Sequence, residues 1–154
     1  MAEFTVKKLI LAAPLVYRKD DSLRFPSCGT DREEVLFRLA LDPSQSRSIE
    51  PDRAAFPGRL VTAGSPAGRK EEGEGSGNVN APDLLELPAG TYFFAQVREP
   101  ALGTETLINM IIEVQQEGLW ERFSLDERLY IRRLFEDGRA VVQVFRPAGN
   151  PLVL

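Results

Sequence analysis

Two stretches of alternating side chains constrain this chain more than any other feature. From Thr91 to Arg98, Phe93, Ala95 and Val97 are apolar, while Tyr92, Phe94, Gln96 and Arg98 occupy the other parity. From Ala140 to Phe145, Ala140, Val142 and Val144 alternate with Val141, Gln143 and Phe145. A strand sends alternate side chains to opposite faces. Both stretches therefore predict a sheet with one oily face and one aromatic and polar face.

Between them the period changes. Leu107, Ile108, Ile111, Ile112 and Val114 form a broad helical stripe, with Glu113, Gln116 and Glu117 outside it. Thr104 can cap this helix and Gly118 reads as its stop. Trp120 and Phe123 are expected to pack under its end. The next segment has two readings. Ser124 and Glu127 fit a capping box, which would make Asp126–Phe135 a helix. Glu136-Asp137-Gly138-Arg139 is a hairpin turn signal and favours a strand from Arg128. Paired that way, Leu129 and Ile131 join the oily face, and Arg128, Tyr130 and Arg132 join Gln143 and Phe145 on the other.

The first half reads as a weaker copy of this order. Phe4 to Tyr17 is extended around Pro14, and Asp20-Asp21-Ser22 is a turn. Thr30 with Glu33 predicts a helix start, Val35, Leu36, Leu39 and Ala40 supply its stripe, and Pro43 ends it. A short strand is expected from Gly58 to Ala63. Gly64 to Asn80 is rich in glycine and charge and reads as a flexible loop. The expected organisation is one domain, 1–154, with halves 1–63 and 81–154 joined by loop 64–80. The expected fold is α+β. Duplicated β-α-β-β units would form one antiparallel sheet, with helices on one face and a ligand groove on the other.

Composition narrows the function. The chain of 154 residues has no histidine and one cysteine, Cys28. Ser-His-Asp and Cys-His catalysis are thereby excluded, as are His-based or multi-thiolate zinc sites. No cofactor or metal is expected, and Cys28 reads as a structural thiol in a reducing cytoplasm. The formal charge of -4 argues against direct contact with nucleic acid. No apolar run approaches the ~20 residues of a membrane span, and Met1-Ala2-Glu3-Phe4 does not start a signal peptide.

Leu84-Leu85-Glu86-Leu87-Pro88-Ala89-Gly90-Thr91-Tyr92, Arg128-Leu129-Tyr130-Ile131 and Val142-Gln143-Val144-Phe145-Arg146-Pro147 resemble the GyrI-like family. That family includes the effector-binding domains of AraC-type and MerR-type multidrug-sensing regulators. The resemblance implies a small amphipathic ligand held in the groove between the halves. Its expected contacts are Tyr92, Phe94, Gln96, Trp120, Glu127, Arg128, Tyr130, Arg132 and Phe145. The family's cation-binding glutamate has Glu127 as its nearest counterpart here, but the position aligned with it is Arg128. An arginine there favours a neutral or anionic ligand. The alternatives are a protein-binding inhibitor module that uses the same concave face, and a small hydrolase. Asp126 and Glu127 are adjacent, so in a strand they would point to opposite faces and could not share a substrate.

Overall fold

The second-half reading sets the centre of the fold. The computed structural model describes residues 5–20, 34–42, 57–66, 84–98 and 104–151. Among them are β1 (Thr5–Leu11), β2 (Leu15–Lys19), β3 (Val35–Leu41), β4 (Gly58–Pro66), β5 (Leu84–Leu87) and β6 (Gly90–Arg98). Helix α1 (Thr104–Trp120) follows, then β7 (Phe123–Leu125), β8 (Arg128–Glu136) and β9 (Arg139–Pro151). The strands form one sheet in the order β1-β6-β9-β8-β3-β4-β2-β5, and β7 pairs with the end of β9. Every pairing is antiparallel.

The two ends of that order are tied together by the chain itself. β1 runs into β2 through Ala12-Ala13-Pro14, and β5 runs into β6 through Pro88-Ala89. β2 pairs with β5 on one side of this corner, up to Leu15 opposite Leu87. β1 pairs with β6 on the other side, from Leu11 opposite Gly90. One long two-stranded ribbon thus bends sharply, and β2 also pairs with β4. The sheet curls on itself into a barrel-like shape. Gly90, at φ 148, takes a conformation at this corner that a side chain would strain. Pro14, which cannot donate to a ladder, falls in the bend of the other strand.

The curl gives the sheet an outer and an inner face. Outside, Leu107, Met110, Ile111 and Val114 of α1 pack on Phe93, Ala95, Val97, Ile131, Val142 and Val144. Inside, Tyr92, Phe94, Tyr130 and Phe145 pack with Tyr17, Leu36, Leu85 and Leu87. The parity read from Thr91–Arg98 and Ala140–Phe145 is therefore the parity of the two faces. The β8–β9 turn is the expected one, with Asp137 at φ 54 and Gly138 at φ 79 between paired Glu136 and Arg139. Positive φ at both central positions matches the twist of a tight hairpin.

Three expectations change. Val35–Leu41 is a strand, not part of a helix. It lies between β8 and β4 in mid-sheet and is buried on both faces. A short apolar run buried on both sides carries no alternation, so its spacing also fits a helix. With it goes the first-half copy, and strands from both halves interleave in one sheet. Gly118 lies inside α1, and a Cβ there would come within 2.7 Å of Leu125 and 3.1 Å of Phe93. It permits close helix–sheet packing, and the helix ends instead near Arg122, whose φ of 66 is left-handed. Gly64–Pro66 continues β4. Residues 67–80, Cys28, the turn at Asp21-Ser22, Thr30–Glu33 and Pro43 lie outside the described residues.

The face assignment makes a direct prediction. Val144 is fully buried under α1, while Val61 on β4 is exposed. Val144→Asp places an unpaired charge in the core and should cost several kcal/mol, enough to unfold a domain of ordinary stability. Val61→Ser should stay within about 0.5 kcal/mol. Urea unfolding of the two variants checks the assignment, and similar losses would contradict it.

Candidate functional site

The inner face is arranged in rows, because directly paired residues stand side by side. One row runs Leu36, Arg132, Gln143, Gln96 and Thr5 across five strands. The next runs Arg38, Tyr130, Phe145, Phe94 and Lys7. Nearest the corner lie Ala40, Arg128, Pro147, Tyr92 and Leu9. The first row is mostly polar, and the middle row holds the rings of Tyr130, Phe145 and Phe94.

The polar row is a connected network. The Arg132 guanidinium donates to Glu34 Oε2 through Nε at 3.1 Å and Nη2 at 3.0 Å. Its Nε also donates to the Tyr17 hydroxyl at 2.7 Å, and Nη1 donates to Gln143 Oε1 at 3.2 Å. Tyr17 in turn donates to Glu34 Oε2 at 2.5 Å. Gln143 Nε2 donates to Gln96 Oε1 at 2.6 Å. Arg132, Glu34, Gln143 and Gln96 are all half-buried, so this end of the interior meets solvent. Burial and the Glu34 carboxylate push the Tyr17 hydroxyl well above the ordinary phenol range.

The aromatic rows are closed. Tyr92 and Tyr130 are each 2% exposed, and Tyr92 stands edge-on to Tyr130 and Phe145 at 6.4 and 5.6 Å. Such edge-to-face pairs suit the ring quadrupoles. Phe94 leans on Phe145 at 5.0 Å, and the Tyr92 hydroxyl donates to the Pro88 carbonyl at the corner. The expected open concave wall is covered by β2 and β5, which lay Tyr17, Leu85 and Leu87 against it.

The sequence-predicted residues therefore divide. Gln96 and Arg132 meet at the polar end, and Tyr92, Phe94, Tyr130 and Phe145 line the interior behind them. Arg128 is at the other end and already engaged, with Nε and Nη2 donating to Asp126 at 3.0 and 2.8 Å. Asp126 also accepts from the Arg128 backbone at 2.8 Å, and these bonds to Arg128 hold its carboxyl below the usual range. Glu127 is half-buried beside them, and its carbonyl accepts from the Leu41 backbone at 2.9 Å. Trp120 stands apart. It ends α1 on the outer side of the sheet and is 83% exposed, so it walls neither groove nor core. Tyr17, Glu34 and Arg38 were not singled out from the sequence. Glu34 and Tyr17 lie 98 and 115 residues from Arg132, and no local pattern joins them.

Among the described residues, no group of three or more His, Cys, Asp or Glu could hold a metal, and no helix is long and apolar enough to cross a membrane. No family model matches the chain, and no curated protein matches it.

The buried tyrosines link stability to alkaline pH. Burial, then the neighbouring Tyr130, pushes the Tyr92 hydroxyl from 10.0 up to about 12. A phenol whose folded pKa is raised stabilises the fold fully below its unfolded pKa and less as pH climbs through the folded value. Stability should therefore fall between pH about 10 and about 12, and Tyr92→Phe should make that fall shallower. The same substitution should cost about 1 kcal/mol at neutral pH for the lost bond to Pro88. Denaturant midpoints measured across this range check both, and parallel curves for the two proteins would refute the linkage.

Proposed function

We propose that this chain is a small-molecule binding domain that admits an amphipathic ligand at the polar end of the curled sheet. The observation that carries this reading is the Arg132–Gln143–Gln96 row. A positioned guanidinium and two amides stand at a solvent-reaching end, with an aromatic interior directly behind them. Apolar walls with a few fixed polar groups are the usual composition of a small-molecule site. The GyrI-like resemblance of the second half supports the same class of function. The site uses no catalytic residue and no cofactor, acts in the cytoplasm, and takes a neutral or anionic ligand. Gln96 and Gln143 line the polar mouth through which the ligand enters, and Phe94, Tyr130 and Phe145 receive its apolar part by local repacking.

The test is a thermal-shift series with decanol, decanoate and decylamine, which share a chain and differ in charge. A ligand that binds only the folded state raises the melting temperature by mass action. The neutral or the anionic compound should raise it, and Gln96→Ala should reduce that rise while leaving the unliganded protein folded. No shift with any of the three, or a shift confined to the amine, would overturn the reading.

A further inference from the structure

The inner face carries three guanidinium groups and two carboxylates that pair with them. Arg132 is matched by Glu34, with nitrogen and oxygen 3.0 Å apart. Arg128 is matched by Asp126 at 2.8 Å. Arg38 has no carboxylate partner among the described residues.

Its position is fixed by the strand. Leu36 belongs to the inner cluster, while Phe37 and Leu39 belong to the core under α1. Alternation along β3 therefore turns Arg38 inward. It stands directly opposite Tyr130 on one side and Thr62 on the other. Arg128 and Arg132 are its diagonal neighbours across β8, a spacing of roughly 7–8 Å that long side chains can span. Arg38 as a whole is half-buried, but its Nε is shut off from solvent and makes no hydrogen bond.

A donor on a cation that is neither hydrated nor bonded is costly, and it is satisfied when an acceptor arrives. The two neighbouring arginines cannot relieve it. They add to the positive potential that their own carboxylates only offset, and Lys7 at the far end of the same row, over the Phe94 ring, adds a further cation.

We infer that Arg38 is the seat of an oxyanion, and that the ligand is an amphipathic monoanion, such as a long-chain carboxylate, whose head bonds Arg38 and whose tail lies along Tyr130 and Phe145. The inference rests on the binding reading above and narrows it. A guanidinium presents parallel N–H donors that suit a carboxylate's two oxygens. The carboxylate head meets Arg38 alone, because Lys7, the other cation of this row, stands four strands away on β1.

Calorimetric titration of wild type, Arg38→Met and Arg38→Lys with decanoate and decanol tests this. Wild type should bind decanoate at least tenfold tighter than decanol. Arg38→Met should erase that preference while leaving decanol affinity within twofold, and Arg38→Lys should restore part of it. Far-ultraviolet circular dichroism and unfolding curves establish that each variant is folded. The Met variant should be at least as stable as wild type without ligand, because it removes an unmatched buried donor. Equal affinity of wild type for the two compounds, or a preference that survives in Arg38→Met, overturns the inference and leaves the binding reading standing. Binding of neither compound overturns both. A preference lost in Gln96→Ala but kept in Arg38→Met also overturns it, since the anion would then sit at the polar row.

Discussion

The bent ribbon of β1–β2 and β5–β6 is the constraint on which the rest depends. A flat sheet with this parity would leave Tyr92, Phe94, Tyr130 and Phe145 facing water. By turning at Ala12–Pro14 and Pro88–Gly90, the ribbon carries Tyr17, Leu85 and Leu87 over that face. Each apolar side chain so covered contributes roughly 1.5–3 kcal/mol. The same turn covers the edges of β4 and β6 with β2 and β1, and among the described strands β1 and β5 are left as the short ends of the sheet. The corner residues follow from this. The strands hold three residues against two in the bend, and a left-handed glycine absorbs the mismatch.

Closing the sheet buries charge as well as rings, and the chain handles the two faces alike. On the outer side Arg146 is fully buried, and it donates to the Asp126 carbonyl at 2.6 Å and to Gln115 of α1 at 3.0 Å. A buried guanidinium is tolerable when its donors are spent in this way. Arg146 thereby ties β9, the β7–β8 connection and the helix into one body. On the inner side Arg132 is spent on Glu34, Tyr17 and Gln143. Asp126 serves both faces, its carboxylate holding Arg128 and its carbonyl holding Arg146.

Much of the second half was legible because its elements obey one period each. Two alternating strands, a helical stripe and an Asp-Gly turn fixed which of Phe93, Phe94, Val144 and Phe145 share a face. The first half was not legible for a physical reason. Val35–Leu41 is buried on both sides, so its pattern is set by neighbours on two faces and loses the period of either. The capping residues before it strengthened the wrong reading. Trp120 was misplaced because an aromatic near a helix end is usually covered, and nothing local shows that this one lies at an exposed corner. The Glu34–Arg132–Tyr17 cluster joins β8, β2 and the residue before β3, all distant in sequence, so its assembly follows from strand order and not from any spacing.

Parity sets the chemistry of a sheet face, but topology decides what that chemistry is for. Alternation put Arg128, Tyr130 and Arg132 on one face, and from alternation alone they are equivalent. The curl makes them unequal. Arg128 falls in the row beside the corner, where Asp126 meets it two residues away. Arg132 falls at the open end, where Glu34, the residue before β3, must come from elsewhere in the chain to match it. Between them the middle row is aromatic on β8, β9 and β6, and it reaches β3 at Arg38 with no acid on either neighbouring strand opposite it. The interior is therefore neutralised at both ends and positive in the middle. That ordering arises from where the ribbon bends and could not be read from the composition of the face.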